Sequence, residues 1–101
     1  YEAWNDNLLI VDPYKSWTIK FSLPVDLQTA TGDNIFVVGW DKTYAPIRIF
    51  SGNQADELVV DCPENGYESQ EYTLYIGTGL KSNSGSPLTQ GVMLRFFVMP
   101  D

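Results

Sequence analysis

Two aromatic side chains in one polar segment have the clearest capacity to bind something. Trp40 and Tyr44 lie in the stretch GWDKTYAP, residues 39–46, between two apolar runs. Aromatic rings with polar neighbours can stack on sugar rings and are common at interfaces between proteins. Three interpretations of this loop stay open: Trp40 packs over the end of the core, the loop contacts a neighbouring domain, or it is a ligand platform for carbohydrate or protein. Trp4 is open to the same interpretations.

The residues that usually perform catalysis are absent or unsuitably placed. The sequence contains no histidine, which removes the commonest general base and the commonest zinc ligand. No serine has a lysine three positions later. Asp56 and Glu57 are adjacent, so in a strand they point to opposite faces. The glycines are scattered over turns and form no phosphate-binding loop. We predict that the protein is not an enzyme.

Carboxylates that could bind calcium are present, but no calcium-loop motif joins them. The available positions are Asp6, Asp12, Asp33, Asp41 and Asp61. None follows the D-x-[DN]-x-[DN]-G pattern, and such residues are more often turn formers and caps. The single Cys62 cannot form an internal disulfide, and its alternation with Leu58 and Val60 is typical of a small apolar core residue. We predict no bound metal and no cofactor.

The sequence predicts that short β-strands position these residues. Seven stretches are rich in β-branched and aromatic residues, and none has the 3.6-residue period of a helix. They are residues 8–11, 17–23, 35–38, 47–50, 58–62, 72–76 and 93–99. Turn-forming clusters separate them, and no crossover helix is predicted. This pattern predicts an all-β fold, a two-sheet antiparallel β-sandwich of about seven strands. A closed barrel is the structural alternative.

Alternation within the strands predicts which side chains form the core. In WTIKFSLPVD, residues 17–26, every second residue from Trp17 to Leu23 should face inward. Pro24 should end the ladder or cause a bulge, and Asp26 should cap a short helical turn. The predicted core includes Trp17, Ile19, Phe21, Ile35, Val37, Leu58, Val60, Tyr72, Leu74, Ile76, Phe96 and Val98. Tyr72 is expected to be a tyrosine corner, with its hydroxyl bonded to the backbone a few residues upstream.

Length and charge limit the classes of partner. A chain of 101 residues is one domain, and because Tyr1 is no natural start we expect it to be excised from a larger protein. Thirteen acidic and six basic residues give a formal charge of −7. An acidic surface repels nucleic-acid phosphates, so a nucleic-acid partner is disfavoured. No apolar run reaches the length of a membrane span, so we predict no membrane insertion.

The ordered set of motifs resembles a known family. Asp12-Pro13, WTIKFSLPVD and the strand NIFV at residues 34–37 resemble the bacterial Ig-like domain of the S-layer protein type, the SbsA-like Ig domain. The second half agrees in EYTLYI at residues 71–76, in LKS and GSPL at residues 80–82 and 85–88, and in MLRFFV at residues 93–98. The resemblance covers residues 8–99 and departs from the pattern at residues 38–53.

The resemblance implies a single bacterial Ig-like domain, residues 1–101, of a multidomain protein on the cell surface or secreted. Such domains are non-catalytic spacers, stalk units or assembly modules that occur in tandem. The expected partners are neighbouring domains of the same chain, and a cell-wall polysaccharide or another surface protein is the alternative. That alternative would use Trp40 and Tyr44 as a binding surface.

Overall fold

Two β-sheets face each other in the computed structural model, which describes residues 2–4 and 7–99. The predicted two-sheet β-sandwich is confirmed. The strands are β1 (Glu2–Ala3), β2 (Leu9–Val11), β3 (Trp17–Lys20), β4 (Ile35–Gly39), β5 (Arg48–Ser51), β6 (Glu57–Asp61), β7 (Glu71–Ile76) and β8 (Val92–Val98). All seven predicted strands are present within a few residues of their expected ends, and the short β1 is the addition.

The larger sheet contains a parallel pairing that the sequence analysis did not predict. Its order is β1-β8-β7-β4, with β2 also paired to β8, and the smaller sheet has the order β3-β6-β5. The pairs β3–β6, β5–β6, β4–β7 and β7–β8 are antiparallel, as expected. β1 and β2 run parallel to β8. Parallel partners are joined by long connections, so no local turn signal announces them.

The core lies between the sheets and is built by strict alternation. On β4, β7 and β8, every second side chain is buried against the facing sheet. The buried hydrophobic residues that form the core are Ile19, Val25, Ile35, Val37, Leu58, Val60, Cys62, Tyr67, Tyr72, Leu74, Ile76, Leu80, Val92, Leu94, Phe96 and Val98. Trp17 and Phe21 are half-buried and pack against this cluster from its margin. Cys62 is a core residue, and burial raises the pKa of its thiol, which disfavours the reactive thiolate.

The prediction that Leu23 points into the core is wrong. β3 ends at Lys20, and the Leu23 side chain is 48% exposed. The chain keeps contact with the neighbouring segment through Phe21 N, which donates to Asp56 O at 2.8 Å, and Val25 N, which donates to Ala55 O at 3.0 Å. Residues 22–24 therefore bend away between two anchored positions, and the buried side chain is Val25 instead of Leu23.

The predicted cap after this bend is confirmed. A 3₁₀ helix spans Leu27–Thr29, and Asp26 Oδ1 accepts a hydrogen bond from Gln28 N at 3.0 Å. The Thr29 hydroxyl accepts from Lys81 N at 2.9 Å. The short helix therefore ties the segment after β3 to the segment after β7.

Tyr72 forms the predicted tyrosine corner. Its ring is buried, and its hydroxyl accepts from Glu68 N at 3.1 Å and from Gln70 Nε2 at 3.2 Å. The Tyr67 ring packs beside it, with centroids 4.9 Å apart. In contrast, the buried Tyr67 hydroxyl has no hydrogen-bond partner among the described residues, and burial raises the pKa of Tyr67.

The two tyrosines should respond oppositely to loss of the hydroxyl. We expect Tyr72→Phe to lower the free energy of unfolding by about 1 kcal/mol, since it leaves the Glu68 amide without its acceptor. Tyr67→Phe should leave stability unchanged or raise it slightly, because it removes an unsatisfied buried polar atom. Urea denaturation of both variants checks this, and an equal loss for Tyr67→Phe would contradict the assignment.

Candidate functional site

The loop between β4 and β5 is a compact turn held against the edge of β4. Asp41 Oδ1 accepts from the Thr43 hydroxyl at 2.6 Å and from Thr43 N at 3.1 Å. These bonds from Thr43, its side chain first, lower the pKa of the Asp41 carboxyl. Lys42 has a φ of 69°, which reverses the chain. Gly39 N then donates to Thr43 O, and Ala45 N to Val37 O, both at 2.9 Å.

This geometry exposes Trp40 and Tyr44 but gives them different surroundings. Trp40 is 76% exposed, so its indole does not cover the end of the core. Tyr44 is 72% exposed, and its ring contacts Phe36 with centroids 5.6 Å apart. No ring contact joins Trp40 to Tyr44 in the described part of the chain. Their roles as ligand or domain contacts remain predictions.

Tyr44 continues an apolar row on the outer face of the larger sheet, which was not predicted from the sequence. Phe36 stacks against Tyr75 with centroids 5.2 Å apart. Register places Phe36 opposite Tyr75, and Tyr75 opposite Met93. The available signal was the apolar character of these outward positions, where a solvent-facing strand usually carries polar residues.

Three of the five carboxylates considered for calcium have local structural partners. Asp12 Oδ1 accepts from Tyr14 N at 2.7 Å. Asp61 pairs with Arg48 at 3.0 Å, and Asp41 caps its own turn. Asp33 lies in the turn before β4, and Asp6 lies outside the described residues. Within residues 2–4 and 7–99, no three His, Cys, Asp or Glu side chains come close enough together to hold a metal ion.

The adjacent carboxylates of Asp56 and Glu57 bond to different partners. Asp56 Oδ2 accepts from Lys20 Nζ at 3.0 Å, whereas Glu57 Oε1 accepts from Gln54 N at 3.3 Å. Each carboxylate therefore has its own structural partner.

No helix in the described chain is long and apolar enough to cross a membrane.

The fold is similar to that of domains in a bacterial surface layer protein. Domains 1–6 of the surface layer protein SbsC match with a TM-score of 0.62 and 19% identity, covering 90% of this chain and 13% of that one. The chain has the fold of an S-layer protein domain. The N-terminal part of SbsC matches with a TM-score of 0.62 and 18% identity, covering 90% of this chain and 23% of that one.

A second protein has a similar fold. CopC from Methylosinus trichosporium OB3b matches with a TM-score of 0.63 and 11% identity, covering 93% of this chain and 87% of that one. The sequence matches no protein-family model and no curated protein. At these identities the likeness establishes a shared fold. The resemblance found in the sequence is thus confirmed at the level of an S-layer-type sandwich.

Proposed function

We propose that the chain is a non-catalytic structural module that connects and separates neighbouring domains of a bacterial cell-surface or secreted protein. The observation that carries this proposal is the path of the terminal strands. Glu2 lies beside Val92 at the start of β8, and Val11 lies beside Val98 at its end. The described chain therefore enters at one end of β8 and leaves at the other, about 20 Å away at the usual rise per residue. Neighbours in series would lie at opposite ends of the sandwich.

The fold comparison supports the same role. SbsC is a surface layer protein whose structure comprises several domains, and this chain is similar in fold to one part of it. The proposed family is the SbsA-like Ig domain, the proposed location is extracellular, and the proposed partners are neighbouring domains of the same chain. A net charge of −7 would keep successive copies soluble and apart.

A second candidate function is binding of a polysaccharide or a surface protein through the loop of residues 40–46. The high exposure of Trp40 and Tyr44 favours it, since large aromatic side chains in solvent are often binding residues. This candidate makes a specific claim, namely that affinity depends on these two rings and not on the rest of the sandwich.

A titration with cell-wall polysaccharides, followed by tryptophan fluorescence, separates the two candidates. We expect no binding at micromolar concentrations, because the structural role needs no ligand. Trp40→Ala and Tyr44→Ala test the loop, and Trp4→Ala is the control for losing an exposed tryptophan elsewhere. Binding that Trp40→Ala or Tyr44→Ala abolishes, with the melting temperature and the Trp4→Ala titration unchanged, would replace the structural role with the binding role.

A further inference from the structure

The outer edge of β5 carries main-chain groups that pair with no described residue. β5 is the last strand of the smaller sheet. Gly52 N donates to Glu57 O at 3.0 Å. From this pair onward, hydrogen-bonded and non-hydrogen-bonded residue pairs alternate along β5 and β6. In that alternation Arg48 and Phe50 bond to β6, whereas the N–H and C=O groups of Ile49 and Ser51 point away from it. Within the described chain, none of these four groups has a hydrogen-bond partner.

The other sheet edges are protected, and β5 is not. The loop segment 43–45 bonds to the edge of β4, and β3 has Lys15 shortly before it and Pro24 shortly after it. β2 has only three residues. Short strands, lysines, prolines and covering loops are the usual means of preventing edge pairing. On β5 the one charged residue, Arg48, is engaged with Asp61 and with the Cys62 carbonyl.

An apolar crevice of about 260 Å³ opens beside this edge, between β4 and β5. The residues that line it include Phe36, Tyr44, Pro46, Ile47 and Ile49. Ile49 faces the crevice, and Phe50, on the opposite face of the strand, is 50% exposed. A strand paired with β5 would therefore place alternate side chains in the crevice and the others over Phe50.

We propose that the β5 edge accepts an extended segment of another polypeptide, with alternating apolar side chains and a positive charge. The unpaired main-chain groups can pair with an added strand, and the lining of the crevice favours apolar side chains. The charge follows from the chain's net −7 and from Glu64 and Glu68, two exposed carboxylates in the hollow that shares Tyr44 and Pro46 with the crevice. Neither carboxylate forms an ion pair with a described residue. A second copy, equally acidic, is repelled. This interaction does not depend on the structural role proposed above.

Synthetic peptides test the edge directly. The probe is a peptide of about eight residues, a typical strand length, with alternating Val and Thr between terminal lysines. The matched control replaces the lysines with glutamates. We expect the lysine peptide to shift the NMR signals of the Ile49 and Ser51 amides and to slow their hydrogen exchange. The glutamate peptide should bind about tenfold more weakly, and added salt should reduce this difference.

Variants at Ser51 test whether the peptide pairs with the main chain of β5. Ser51→Pro removes an outward N–H without touching the β5–β6 ladder, and Ser51→Ala keeps it. We expect Ser51→Pro to bind the peptide about tenfold more weakly, because it loses one main-chain hydrogen bond and the close fit around it. Ser51→Ala should bind the peptide as the wild type does. If Ser51→Pro does not fold, the double variant Glu64→Gln, Glu68→Gln decides, because it should abolish the preference for the lysine peptide.

Three results would overturn the proposal. They are the absence of any protection at Ile49 and Ser51, protection at β3 instead, and self-association through β5 without peptide. The last would identify a second copy as the occupant.

Discussion

Phe96→Ala should lower the free energy of unfolding by about 3 to 5 kcal/mol, the usual cost of deleting a fully buried aromatic ring. Phe96 is fully buried and lies on β8, opposite Leu9 on one side and Tyr72 on the other. Its ring contacts those of Trp17, Tyr67 and Tyr72 at centroid distances of 5.4, 5.4 and 5.7 Å. The substitution would leave a cavity where both sheets and three aromatic rings meet.

Phe50→Ala is the matched control, because the same group is removed from a half-exposed position on β5. Its cost should be about 1 kcal/mol, since surface substitutions remove little buried area. Urea denaturation of the wild type and both variants gives the comparison. For a domain with a stability of roughly 5 to 15 kcal/mol, Phe96→Ala should move the midpoint far more than Phe50→Ala. Equal shifts would mean that Phe96 is not at the centre of the core.

The strands and their faces could be predicted because alternation is a local property. On β8 the inward residues Val92, Leu94, Phe96 and Val98 are all large and apolar, and one buried face follows directly from that spacing. Leu23 continues the alternation that begins on β3 at Trp17, and it was assigned wrongly to the core. The bend at residues 22–24 depends on hydrogen bonds to Ala55 and Asp56. Those partners are distant in sequence, so periodicity cannot detect them.

The arrangement of the candidate site could be predicted only in part, for the same reason. That Trp40 and Tyr44 share a loop is visible in the sequence. The reversal at Lys42 and the contact of Tyr44 with Phe36 are not visible there, because they arise where the loop bonds back to β4. Stacking of Phe36 on Tyr75 depends on the β4–β7 register. The unpaired edge of β5 likewise depends on sheet order, which no local pattern specifies.

The parallel pairing of β2 with β8 should make the chain resistant to tension applied at its two ends. Tension pulls β1 and β2 one way along β8 and pulls β8 the other way, so the bonds between them must shear together. Met99 N donates to Val11 O at 2.9 Å. This bond shows which alternate residues of β2 direct their main-chain groups towards β8. Leu9 and Val11 therefore bond to β8, whereas the main-chain groups of Ile10 point outward.

Leu9→Pro should make the chain unfold about tenfold faster at a given force, because it removes a donor from the sheared ladder, worth about 1 kcal/mol or slightly more. Ile10→Pro is the matched control: Ile10 is 65% exposed, and the N–H that it loses is outside the ladder. Forced unfolding reports the unfolding rate, so single-molecule pulling on tandem copies measures the effect. If wild type and both variants unfold at the same force, the β2–β8 ladder does not resist tension, and the structural role would have to rest on something other than strength along the chain.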